Sequence, residues 1–142
     1  MKPAVIQAWQ AMLGNHATDT LDALLADDVV FESPVVFRPQ AGRALTSLYL
    51  RAADAVLNNG SFRYVGEWYA AGSAVLEFEA QVRGVAVNGV DMIWWNDAGR
   101  IVRFKVMVRP LQAIGVLREQ MGAELQRLAP EAVRATAPGS RS

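Results

Sequence analysis

Two periods organise the chain. Before Gly60 most apolar residues recur every three or four positions; beyond it they alternate. In MKPAVIQAWQAML, Val5, Ile6, Trp9, Met12 and Leu13 share one helical stripe. Pro3 suits the first turn, where a missing N–H costs nothing, and Gly14-Asn15 ends the helix. TDTLDALLADD reads as a second, short helix with Thr18 or Asp19 as cap and Leu21, Leu24 and Leu25 inward. VVFES is a short strand closed by Pro34. GRALTSLYLRAADAVLNNG is the clearest helix, with Leu45, Leu48, Tyr49, Ala52 and Val56 at helical spacing and a stop at Asn59-Gly60.

FRYVGEWYA, SAVLEFEAQVR, AVNGVDMIWW and RIVRFKVMVR then read as four strands joined at AG, GV and NDAG. In the second, Leu76, Phe78, Ala80 and Val82 take one face, while Glu77, Glu79, Gln81 and Arg83 take the other. Pro110 opens a last helix whose apolar side is Leu111, Ile114, Leu117, Met121, Leu125 and Leu128. Residues 129–142, rich in Ala, Pro, Ser and Arg, form a tail with nothing to bury. Helices followed by an antiparallel meander predict one α+β domain over residues 1–128, with helices covering one face of a curved sheet.

Composition narrows the function classes. The 142 residues suit one domain, and 52% hydrophobic with 20% charged residues is a globular composition. Without cysteine there is no disulfide or thiolate chemistry, and with one His no ordinary zinc site, so neither a metal nor another cofactor is expected. Basic and acidic residues balance at 14 each, although from Arg100 onward eight basic residues face three acidic ones. Those basic residues are scattered and lack stacking aromatics between them, which argues against a nucleic-acid face. No stretch approaches the ~20 apolar residues of a membrane span, and the N-terminus lacks a signal-peptide pattern, so a cytoplasmic protein is expected. His16 reads as a surface loop residue and Asp27-Asp28 as a solvated cap; no phosphate loop, dinucleotide fingerprint or Ser-His-Asp arrangement is present.

The element order, with LDALLADDVVFESPV entering the first strand and VDMIWWNDAGRIVRFKVMVRPLQAI as the final hairpin, resembles the nuclear transport factor 2-like superfamily, also called SnoaL-like. The resemblance spans residues 1 to about 128. It implies a cone-shaped, strongly bent sheet around helices, enclosing an apolar pocket, and a homodimer through the sheet. The fold hosts enzymes, binders and transport factors, so it does not fix an activity. Ketosteroid isomerase, one enzyme of the superfamily and a standard example of pKa tuning, uses a pocket Asp as base, with a Tyr and a protonated Asp as oxyanion donors. On this chain the Tyr position is Trp9, the base position is Ser33, and the oxyanion Asp position is Asp91. An indole N–H donates but shuttles no proton, and a hydroxyl is no carboxylate base, so that mechanism is not expected here.

Asp91 sits in NGVDMIWW, and its direction depends on hairpin register, since a one-residue slip reverses every side chain. A three-residue loop, Asp97-Ala98-Gly99, pairs Asp91 with Lys105 as an exposed ion pair; a four-residue loop, Asn96 to Gly99, pairs it with Phe104 and the core. Gly99 suits either turn. The resemblance places Asp91 inside, where desolvation raises its pKa and makes it the candidate acid-base group. Expected pocket residues are Trp9, Leu13, Ser33, Tyr49, Tyr64, Trp68, Phe78, Trp95, Phe104, Val106 and Val108. The same register sends Met92, Trp94, Ile101 and Met107 to the convex face, an apolar patch suited to a homodimer. Three functions follow: binding of a small apolar molecule anchored by Asp91; an isomerase, cyclase or hydratase using Asp91; or an interaction module whose cone is closed by Trp9, Trp68, Trp95 and Phe104.

Overall fold

The alternation past Gly60 produces four consecutive antiparallel strands, β3 (Arg63–Tyr69), β4 (Ser73–Val82), β5 (Val85–Trp95) and β6 (Ile101–Arg109). A computed structural model describes residues 1–129; the expected tail, apart from Ala129, lies outside the described residues. Ahead of these strands come α1 (Ala4–Gly14), a 3-10 helix (Thr18–Leu24), β1 (Leu25–Glu32), the two-residue β2 (Gln40–Ala41) and α2 (Arg43–Leu57); α3 (Leu111–Leu128) follows them. The result is an α+β fold whose curved six-stranded sheet has the order β2-β1-β6-β5-β4-β3.

The sheet is mixed rather than wholly antiparallel. β1 pairs with β6 in parallel, Phe31 opposite Phe104 and Glu32 opposite Lys105, and the long connection through α2 makes that pairing possible. β1 also starts earlier than VVFES. Leu25 and Ala26 are buried in extended backbone, so the expected helix shortens to one 3-10 segment. Neither Thr18 nor Asp19 caps it; Ala17 holds that position without a side-chain bond. β2 carried no periodic signal, being only two residues long.

The core lies between the concave face of the sheet and the helices. Leu76, Phe78, Ala80 and Val82 are buried from β4, as their alternation requires. From α2 come Leu48, Tyr49, Ala52 and Val56, and from α1 Val5, Ile6, Trp9 and Met12. In α3 the buried stripe is Ala113, Leu117, Met121 and Leu125, at strict four-residue spacing. Leu111, placed on the apolar side by its type, stands 83% exposed because it lies two residues, about 200° round the helix, from the buried Ala113. Gly89 sits mid-strand in β5, where an added Cβ would lie 2.5 Å from the Met107 carbonyl oxygen and 2.6 Å from Phe78 Cζ. Only glycine lets Phe78 lie flat against that strand.

Two bulges decide which side chains reach the concave face. In the β5–β6 hairpin, Asn96 N–H donates to the Arg100 carbonyl, so the turn is the three-residue one. Trp95 then pairs with Ile101, but Trp94 pairs with Arg103, which leaves Val102 as an extra residue. From there Asp91 falls opposite Val106, neither Lys105 nor Phe104. The bulge restores the inward phase that a plain three-residue hairpin would have reversed. It also corrects the expectation for Ile101, which is fully buried instead of lying on the convex face.

The second bulge falls at Val65 in β3, between the pairs Tyr64–Phe78 and Gly66–Glu77. Tyr64 therefore points inward, while Trp68, opposite Val75, points outward and is 59% exposed.

Candidate functional site

Where α1, α2, α3 and the concave face converge, a cavity of about 60 Å3 remains. The sheet supplies Phe31 from β1, Tyr64 from β3, Asp91 from β5, and Phe104, Val106 and Val108 from β6. Helix α1 adds Trp9 and Leu13, and α3 closes over with Leu117 and Met121. Helix α2 presents Leu50, Ala53, Asp54 and Leu57, a stripe adjacent to its main buried one, and Asn58 follows at its end. Ser33, Pro34, Val35 and Phe62 complete the lining among the described residues.

The polar centre is a short chain of hydrogen bonds. Trp9 Nε1–H donates to the Tyr64 hydroxyl oxygen at 2.9 Å, and Tyr64 O–H donates to Asp91 Oδ2 at 2.6 Å. Asp91 is 7% exposed, in a lining that is apolar apart from Tyr64, Ser33, Asp54 and Asn58. Burial pushes its carboxyl from the ordinary 3.8 up to about 7, with the Tyr64 hydrogen bond pulling partly the other way. Tyr64 moves in the same direction: burial, then the Asp91 charge and hydrogen bond, hold its phenol well above the usual range. Below about pH 7 both groups therefore hold a proton; above it Asp91 is ionised while the tyrosine keeps its own.

The expected pocket residues separate into two groups. Trp9, Leu13, Ser33, Tyr64, Asp91, Phe104, Val106 and Val108 line the cavity. Tyr49, Phe78, Trp68 and Trp95 do not. Tyr49 is buried one layer deeper, its ring 5.6 Å from Phe31. Phe78 stacks behind Phe62 at 5.2 Å. Trp68 is turned to the convex face by the Val65 bulge, and Trp95 lies at the far hairpin end, in a hollow with Pro3, Val5 and Gly72.

Comparison with known proteins identifies the lineage. The SnoaL-like domain profile matches residues 6–104. A steroid delta-isomerase from Pseudomonas aeruginosa is 36% identical over 92% of this chain and 93% of that one, with a TM-score of 0.81. The chain belongs to the SnoaL-like family. An uncharacterized protein with a cystatin-like fold from Silicibacter pomeroyi is 28% identical, covering 92% of this chain and 89% of its own, at the same TM-score of 0.81. A nuclear transport factor 2-like protein of unknown function from Mesorhizobium loti, 22% identical over 75% of this chain and 88% of its own with a TM-score of 0.66, shares the fold.

Within this SnoaL-like pocket, the positions aligned with the isomerase trio occupy one cavity, but their hydrogen bonds are arranged differently. Trp9 spends its N–H on Tyr64, so the phenol beside Asp91 comes from β3 and not from α1. Ser33 Oγ accepts the Val35 N–H at 3.0 Å and shapes the turn at Pro34. On α2, Asn58 Nδ2–H donates to both the Leu13 carbonyl and Asp54 Oδ1 at 2.9 Å. Asp54 and Asn58 escaped the sequence reading; a polar pair four residues apart, beside Leu50, Ala53 and Leu57, was the available signal. His16 Nδ1 stands 3.8 Å from Asp54 Oδ2, outside the lining and largely exposed. No cluster of three metal-ligating side chains occurs among the described residues, and no described helix is long and apolar enough to cross a membrane.

Proposed function

We propose that this SnoaL-like chain binds a small, largely apolar molecule in the cavity, with Asp91 as its polar anchor. The buried carboxyl carries the reading: a group with its proton affinity near neutrality, in a largely apolar cavity, with Tyr64 as its one donor among the described residues, has hydrogen-bonding capacity left for a ligand. The size sets a limit. A cavity of about 60 Å3 lies far below the roughly 300–1,000 Å3 of ordinary ligand sites, so the molecule has only a few heavy atoms. Small branched or cyclic alcohols and ketones should raise the melting temperature of the wild type. Ala53→Leu, which fills the cavity from α2, should remove the shift. No shift from this panel or from amines and acids of the same size would defeat the reading.

A second reading is enzymatic. The relative named as a steroid delta-isomerase favours it, as does a carboxyl able to change protonation near pH 7. In that role Asp91, when protonated, would donate to a carbonyl oxygen and stabilise an enolate. Ser33 could not serve as the carboxylate base, and a steroid would not fit the present cavity.

We also propose a second copy of the chain as partner for the convex face. Val65, Trp68 and Met107 are exposed there, with Val75, Val90, Met92 and Trp94 half-buried around them. Arg103 lies 4.4 Å over the Trp94 ring and bonds Glu32, forming a charged rim. Light scattering at micromolar concentration should give twice the 15.5 kDa chain mass, and Trp68→Glu with Met107→Glu should halve it. A wild-type monomer would refute this.

A further inference from the structure

We propose that the molecule held in this cavity carries a protonated amine on a small apolar skeleton, with Asp91 as its counter-ion. This rests on the pocket-binding reading and names the head group. The lining contains two carboxylates, Asp91 from β5 and Asp54 from α2, and among the described residues no Lys, Arg or His. An anionic ligand would lose its hydration facing two like charges, with nothing to neutralise it. An ammonium meets the opposite situation.

Asp91 accepts Tyr64 at Oδ2, while Oδ1 takes no hydrogen bond from the described residues. Asn58 spends its Nδ2–H donors on Leu13 and Asp54, and its carbonyl oxygen takes no hydrogen bond from the described residues. These two oxygens of Asp91 and Asn58 are acceptors, matched to a group that only donates, while the Ser33 hydroxyl already accepts the Val35 N–H in its turn. The walls agree: Trp9, Phe31, Phe62, Tyr64 and Phe104 line the space with aromatic rings, a class of side chain whose faces attract cations. A neutral alcohol would use one donor where the site can satisfy several. The cavity volume selects a skeleton of a few carbons.

Isobutylamine, isobutanol and isovalerate share one skeleton and differ in head group. By titration calorimetry at pH 8 with the full chain, the amine should bind about tenfold or more tightly than the alcohol. The carboxylate should give no heat. Asp91→Asn should bring the amine and alcohol affinities together, with circular dichroism confirming that the variant is folded. Binding of the carboxylate at or above the level of the amine, or equal wild-type affinities for amine and alcohol, would overturn the amine assignment while leaving the pocket reading intact. Silence from all three compounds and from the neutral panel would overturn both.

Discussion

Asp91→Asn should make the protein more stable at pH 8, and the gain should disappear on acidification. In the folded chain Asp91 keeps its proton up to about pH 7, whereas in the unfolded chain it loses it near 3.8. Between those values the folded state binds more protons than the unfolded one. Stability contributed by this group is therefore full below about pH 4, falls as the pH rises to about 7, and is level above. Three pH units at 1.36 kcal/mol each make the loss about 4 kcal/mol. A carboxamide of the same shape still accepts the Tyr64 O–H and carries no charge to desolvate. Urea denaturation of both proteins from pH 4 to pH 8 isolates the effect. Glu32 and Glu67, whose hydrogen-bonded carboxyls are held below the usual range, contribute equally to both and cancel in the difference. Parallel curves for the two proteins would show that Asp91 is ionised at little cost.

Trp9→Ala should cost about 3–5 kcal/mol, measured by denaturant unfolding. The indole is 4% exposed, packs 4.9 Å from the Phe104 ring and anchors Tyr64. Removing it loses apolar burial and leaves the tyrosine oxygen without its donor. Trp9→Phe restores most of the volume but not the N–H, and should cost about 1–2 kcal/mol. Trp9→Phe should also raise the Asp91 midpoint, because the N–H bond polarises the phenol towards the carboxylate. An unchanged midpoint would reduce Trp9 to packing alone.

The parts of the fold that repeat were readable from the residues. The stripes of α1 and α2 and the alternation of β4 fix which faces are buried, and the order of elements fixes the class. What escaped has a common physical origin: single extra residues and long-range pairings leave no periodic trace. The Val102 bulge reverses the phase between Ile101 and Asp91, and the Val65 bulge separates Tyr64 from Trp68. The Val102 bulge has no glycine or proline beside it, and the Val65 bulge adjoins Gly66, which by itself does not say that a residue is left unpaired. The parallel β1–β6 pair joins residues about seventy positions apart, which no local pattern reports.

The site was readable in outline only. Asp91 stood out as a lone carboxylate in an apolar run, and Trp9 and Ser33 entered through aligned positions. That Tyr64, rather than Trp9, would bond Asp91 required the bulge. The share taken by α2, through Asp54 and Asn58, required knowing that a second stripe of that helix faces the cavity.

The central claim is that Asp91 is held inside an apolar wall by one tyrosine. Its carboxyl carbon, followed by NMR in selectively labelled protein from pH 3 to pH 9, tests that directly. The account predicts a midpoint near pH 7 that shifts upward in Tyr64→Phe, since the hydrogen bond that favours the charged form is gone. A midpoint near the ordinary 3.8, unmoved by Tyr64→Phe, would contradict it.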